Sequence, residues 1–281
     1  MRFQRWHGSR CQLESLRKKP IMDRTALVAS TLCFLAGFAL SVQALRARAQ
    51  GPSASTLWVT LGGFLLQTLW LYQRGQLLGR CPLTSLFDVL VFLAWSVTLI
   101  YLATGTTYRL SLLGVFTSPL VFLLQGIALA LPMPSVAKSV LPVNPWLELH
   151  AAVSVVAYGA FALAGIAGVT LLVQERQLKT RKLHSFFYRF PPIHDLAAAN
   201  RRLVYIGFAL LTLGLVAGIF QGVAHVSFLR FVSLGVWVLY LFLSLALGWR
   251  RISPKRAAWL ASGAFLVLLT TVWAVQLVGK S

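Results

Sequence analysis

An all-α polytopic membrane protein, a bundle of eight transmembrane helices, is the fold class this sequence predicts, and three observations predict it. Hydrophobic residues make up 58% of the 281 residues and charged residues only 11%, whereas a soluble domain carries about 25% charged residues. Mean hydropathy is +0.75. Apolar runs near the roughly 20 residues that cross a bilayer recur along the chain. Lipid cannot satisfy free backbone N–H and C=O groups, so spans of this length and hydrophobicity are helices rather than barrel strands.

The first span, Ala26 to Leu45, is too long for the hydrophobic region of a cleavable signal, and Arg46 and Arg48 follow it. The second runs from Ser55 to Tyr72 and the third from Leu83 to Leu102. Asp88 lies about one and a half turns into the third, where a charge costs several kcal/mol unless it is hydrated or paired with Arg80 or a neighbouring hydroxyl. The fourth, Leu110 to Leu131, contains Pro119, which removes a backbone hydrogen bond and predicts a kink. The fifth, Trp146 to Val173, carries His150, Ser154 and Tyr158 at four-residue spacing on one face. The sixth, Leu203 to Val223, carries Gly214, Gly218 and Gly222 at the same spacing, which predicts close helix packing. Phe228 to Leu247 and Ala257 to Val278 complete the eight. Trp58, Trp146, Trp249 and Trp259 fall near span ends, as anchors of an interfacial aromatic belt do.

The net charge of +20 raises the question of nucleic acid, but the 26 Lys and Arg are confined to a few loops. Seven precede the first span, seven lie between the fifth and sixth, and four between the seventh and eighth. The positive-inside rule places the last two loops in the cytoplasm and, with eight spans, both termini on the outer face. That arrangement puts 14 of the 26 inside. The N-terminal segment opposes it. Either Met22 is the start, which removes six of those charges, or the extension does not set topology. The domain reading is accordingly a basic segment over residues 1–24 and one transmembrane domain over 25–281, with a basic cytoplasmic loop at 174–202. Basic loops of this kind contact anionic headgroups of membrane lipids, not nucleic acid. The expected location is a bacterial inner membrane.

Soluble-enzyme chemistry is missing from the pattern. Cys11, Cys33 and Cys81 stand alone, without CxxC, CxxCH or zinc spacing. No internal repeat, phosphate-binding glycine loop or Ser/His/Asp order stands out, so no enzyme activity is expected. Asp88 and the proline-kinked fourth span leave a small-solute or ion permease as one alternative. The loop at 174–202 interleaves aromatic and basic residues, as a segment lying along headgroups or docking a soluble partner does. His150 sits at the mouth of the fifth span, under Trp146. It reads either as a metal ligand, since neutral imidazole is a common haem ligand, or as an interfacial histidine bonded to a neighbouring loop. His225, on the same face, is a weaker candidate because a histidine in a short loop needs no explanation.

Three blocks, GRCPLTSLFDVLVFLAW (Gly79 to Trp95), PWLELHAAVSVVAYGAFALAG (Pro145 to Gly165) and IGFALLTLGLVAGIFQG (Ile206 to Gly222), together resemble the cytochrome c assembly family of haem-handling membrane proteins. The resemblance runs roughly from Met22 to the C-terminus. It implies an outer-face haem site in which a histidine following a tryptophan at a helix start is an axial ligand, the position His150 holds after Trp146. On that basis the expected haem-binding residues are His150, His225, Trp146, Asp88, Ser154 and Tyr158, with His150 and His225 on the iron. The chain departs from the best-known members in lacking the tryptophan-rich WGxxWxWD motif after Gly218 and a later external histidine, and so resembles a shorter, divergent branch. The function implied is haem binding or delivery in cytochrome c biogenesis, with a second membrane protein of the assembly system as partner. Regulation of haem synthesis, by recruiting a soluble haem-synthesis enzyme through the 174–202 loop, is the other alternative.

Overall fold

A computed structural model of the chain describes residues 24–43, 54–108, 111–133, 144–180, 193–220, 227–248 and 252–278. These form eight helices, and no strand occurs among the described residues. They are α1 (Arg24–Gln43), α2 (Ala54–Leu78), α3 (Leu86–Tyr108), α4 (Ser111–Ala130), α5 (Pro145–Thr180), α6 (Ile193–Phe220), α7 (Ser227–Gly248) and α8 (Pro254–Val278). By length and composition, six contain stretches long and apolar enough to cross a membrane, within α1, α2, α3, α5, α6 and α7. The described apolar stretch of α4 is shorter, Phe116–Ala130, with Pro119 inside the helix as expected.

Three boundaries differ from the sequence expectation, each for a physical reason. Helix α2 continues past Tyr72 to Leu78 and stops at Gly79, whose φ of 66° is open to glycine without a Cβ penalty. The Gly79 N–H donates to the Gly75 carbonyl at 2.9 Å, which satisfies one of the free carbonyls of the last turn. Arg74 is therefore a buried helical residue, not one of the loop charges. Helix α5 runs on to Thr180, with Lys179 and Glu175 paired at 2.9 Å on the extension. Helix α6 starts at Ile193, so His194 to Arg202, expected in the loop, form its first turns. The basic loop shrinks to residues 181–192, which lie outside the described residues, as do the N-terminal segment, His225 and Trp249.

Helix α5 is the centre of the bundle, packed on α3, α6 and α8. Small residues allow this. A Cβ on Gly159 would lie 2.9 Å from the Ser96 carbonyl carbon and the Val97 nitrogen, so α3 and α5 meet backbone to backbone there. Polar groups in the apolar core bond across helices. Asn200 of α6 donates to the Ala164 carbonyl of α5 at 2.6 Å, and Gln67 of α2 donates to the Val91 carbonyl of α3 at 2.9 Å. A second network joins Ser30 and Thr31 of α1 to Gln125 of α4 and the Gly63 carbonyl of α2. Trp58 and Trp259 stay exposed, as lipid-interface anchors do.

Candidate functional site

At the end of the bundle where α5 begins, the sequence-predicted residues fall into two groups. The first surrounds His150. Its Nδ1 lies 2.7 Å from the Gly214 carbonyl oxygen of α6. A carbonyl only accepts, so Nδ1 carries the proton, and in the neutral ring Nε2 is left with its lone pair. The expected partner was a neighbouring loop; the observed one is the backbone of a packed helix.

The glycines of α6 create this contact. A Cβ on Gly218 would stand 2.9 Å from His150 Nδ1, and one on Gly214 would stand 2.8 Å from Ser154 Oγ. The spacing read from sequence as helix packing is packing against the candidate ligand itself. Any side chain at Gly218 would push the imidazole off its carbonyl. Ser154 is buried beneath His150. Tyr158, one turn further, packs on the core near Tyr240 of α7, which also stacks on Phe161 with ring centroids 3.6 Å apart. Above the site Trp146 lies 5.1 Å from the ring of Phe220, and both remain largely exposed. Together they form an aromatic shelf at the bundle end.

The second group is built on Asp88. Ser85 caps α3: the Asp88 N–H donates to its hydroxyl at 3.1 Å, while that hydroxyl donates to Asp88 Oδ2 at 2.7 Å. Thr84 adds a hydrogen bond to Oδ2 at 3.1 Å. The other oxygen, Oδ1, meets Arg74 Nε at 3.2 Å, and both side chains are essentially inaccessible. The neighbouring hydroxyls were legible in sequence, but Arg80 was not the cation. Arg80 instead reaches Glu148 of α5 at 3.7 Å and ties the turn after α2 to the residue two before His150. No cluster of three or more His, Cys, Asp or Glu able to hold a metal ion occurs among the described residues. A metal here would need a ligand that brings its own coordinating atoms.

Cys81 lies in the same turn. Burial, and then the Glu148 charge, push its thiol up to about 11. The thiolate is the reactive form, and at pH 7 it amounts to ~1 part in 10,000, four units below the pKa. Alkylation of Cys81 by iodoacetamide is expected to be slow at neutral pH and to rise about tenfold per unit toward pH 11. Glu148→Gln removes the raising charge and should move that profile to lower pH. A plateau near pH 8.5 in the wild type would contradict this environment.

Comparison with known proteins bears on the same region. The family model described as Cytochrome C assembly protein matches residues 83–281. The chain is 28% identical over 234 residues to Cytochrome c biogenesis protein CcsA of Chlamydomonas reinhardtii, covering 77% of this chain and 64% of that protein. It is 27% identical over 248 residues to the protein of the same name from Prochlorococcus marinus, covering 76% and 79%. Protein HemX of Brevibacillus brevis is 28% identical over 158 residues, covering 56% and 58%. The chain thus spans less than two thirds of the Chlamydomonas and Brevibacillus proteins.

Proposed function

We propose that this chain, which belongs to the cytochrome c assembly protein family and is a multi-pass membrane protein, binds haem at the outer end of α5 and α6 and holds or delivers it for cytochrome c biogenesis. The observation that carries the proposal is the His150 hydrogen bond to the Gly214 carbonyl at 2.7 Å. A ligand histidine normally donates its other ring N–H to a fixed acceptor, which sets the tautomer and raises the basicity of the ligating nitrogen. The donor set fits haem iron: a bare Nε2, a ring seated in a cradle that a Cβ on Gly218 would fill, and an aromatic shelf, Trp146 and Phe220, against which a flat macrocycle can lie. Bound there, haem is the group that c-type cytochromes carry.

In this reading His150 binds and orients, and Ser154 keeps the α5–α6 contact close. Tyr158 lines the deeper part of the same face. Asp88, held by Arg74, fixes the start of α3, and the Arg80–Glu148 bridge fixes the start of α5. His225 would be the second histidine to hold the haem. No bond change is assigned to the chain itself. Helices α4 and α8 cross the membrane with the other six, both termini face outward, and the segment between α5 and α6 is cytoplasmic. Removing the buried Arg74 from the loop charges favours this orientation further, because it was counted on the outer side. A second membrane protein of the assembly system is the partner to which haem passes.

A deletion strain tests the role. Haem-stained c-type cytochromes should disappear without the chain, return with the wild-type copy, and fail to return with His150→Ala although that variant accumulates in the membrane. Normal cytochromes in the deletion, or full rescue by His150→Ala, would overturn the proposal. A strain in which only a neutral substitute for residues 181–192 fails would point to recruitment of a soluble enzyme instead.

A further inference from the structure

Helix α6 is longer than the hydrocarbon core it crosses, and its surplus lies at the end away from His150. From Phe220, beside the Trp146 ring, about 30 Å of helix reaches back to the residues near Asn200, so the first turns of α6 stand at the depth of the lipid headgroups. There the bundle is not closed. A cleft of about 530 Å³ opens between α6 and the end of α3, within the ~300–1,000 Å³ of sites that hold small ligands.

The floor and the rim of this cleft differ in chemistry. Ala199 and Leu203 of α6 form the floor, and both are buried. Thr104 of α3 joins them, with its hydroxyl proton already committed to the Ile100 carbonyl at 2.7 Å. The rim carries opposite charges. Asp195 and Arg202 are both exposed and line the cleft about two turns apart on α6. Arg202 is the deeper of the two. Helical Cα–Cβ bonds tilt toward the helix N-terminus, so an arginine there extends from the edge of the hydrocarbon toward the headgroups. Asp195 lies nearer water, where its carboxylate meets the His194 ring at 3.5 Å and its side chain stays 56% exposed.

From the membrane outward the cleft therefore presents an apolar floor, a cation and then an anion. A diacyl phospholipid whose phosphate is followed by a primary ammonium presents the complementary order. We propose that the cleft is a binding site for phosphatidylethanolamine, with Arg202 on the phosphate, Asp195 on the ammonium and an acyl chain along Leu203 and Thr104. The planar guanidinium suits a phosphate, and its five N–H donors let it hold one alongside a contact within the protein. The ammonium donates hydrogen bonds to the carboxylate, which the trimethylammonium of phosphatidylcholine cannot do. An anionic headgroup, which the basic loops attract, would instead leave Asp195 facing a like charge. Such a site needs only that α6 cross the bilayer; it depends neither on haem nor on which end faces the cytoplasm.

Native mass spectrometry tests this on the purified, delipidated full chain, offered equal amounts of phosphatidylethanolamine, phosphatidylcholine and phosphatidylglycerol with the same acyl chains. Wild type should retain phosphatidylethanolamine over either competitor by about 10-fold, the lower end of the worth of a hydrogen bond to a charged group. Asp195→Asn should lose that preference while still retaining lipid, and Arg202→Gln should weaken retention of all three, since each carries a phosphate. Ala198→Trp fills the cleft with both charges in place and should displace the lipid. Asp195 and Arg202 are surface residues, so their variants should denature at the wild-type temperature before lipid is added. Equal retention of the three lipids by wild type, a preference that survives in Asp195→Asn, or no retained lipid at all would overturn the assignment. Preference for phosphatidylglycerol would make the cleft an anionic-lipid site governed by Arg202 and also overturn it.

Discussion

Replacing His150 with glycine is expected to abolish the Soret band of the purified, haem-supplemented protein, and imidazole in the buffer is expected to restore it. The substitution removes the imidazole whose Nε2 the described site would offer to iron and whose Nδ1 donates to the Gly214 carbonyl. Disturbing a partner of a metal ligand costs 10-fold to 100-fold in affinity, so loss of the ligand itself should cost at least about 100-fold. Glycine leaves a hole of imidazole size between α5 and α6, next to a carbonyl that can still accept a hydrogen bond. Free imidazole can donate to Gly214 with one nitrogen and offer the other to iron, as the tethered ring does. Gly218→Ala approaches the same defect from the other side, since its Cβ would come within 2.9 Å of Nδ1. That variant should keep a weaker, shifted band. Haem bound by His150→Gly as tightly as by wild type would sink the ligand assignment.

The second large effect is on stability. Arg74→Ala leaves the Asp88 carboxyl with only Ser85 and Thr84 beside it, in a position closed to solvent. Breaking a buried pair by removing one partner costs about 3–5 kcal/mol, because the remaining charge is uncompensated. The double variant Arg74→Met with Asp88→Leu removes both charges and should recover most of that loss, since apolar replacement of a buried pair is often neutral. Thermal denaturation in detergent reads both, and the double variant should still bind haem. Equal destabilisation by single and double variants would mean that packing of Arg74, not its charge, holds α2 to α3.

Much of this molecule was legible in the sequence because lipid imposes a simple rule, that a spanning segment must be apolar and helical. The rule failed where a charge had a buried partner. Arg74 reads as a loop residue, whereas α2 continues past Tyr72 to Leu78 and buries Arg74 against Asp88. A short helix opening at Pro191 and Pro192 was legible, but its continuity with the sixth span was not. Residues such as His194, Asp195 and Asn200 are polar, and the Asn200 bond to the Ala164 carbonyl of α5 leaves no sequence signature. Within the site, the four-residue spacing of His150, Ser154 and Tyr158 placed them on one face. The partner of His150 could not be read, because a backbone carbonyl has no sequence signature. Its trace was the Gly214–Gly218 spacing, which signals close approach without naming what approaches.

The central claim is that the α5–α6 cradle holds haem, and the most direct measurement is an absorption spectrum of the wild-type protein purified from cells expressing it with excess haem precursor. A Soret band that co-purifies with the protein and persists through detergent washing is the result predicted. A colourless protein, with no band even after haem is added to it, would contradict the account and leave His150 as a helix-to-helix hydrogen-bond donor.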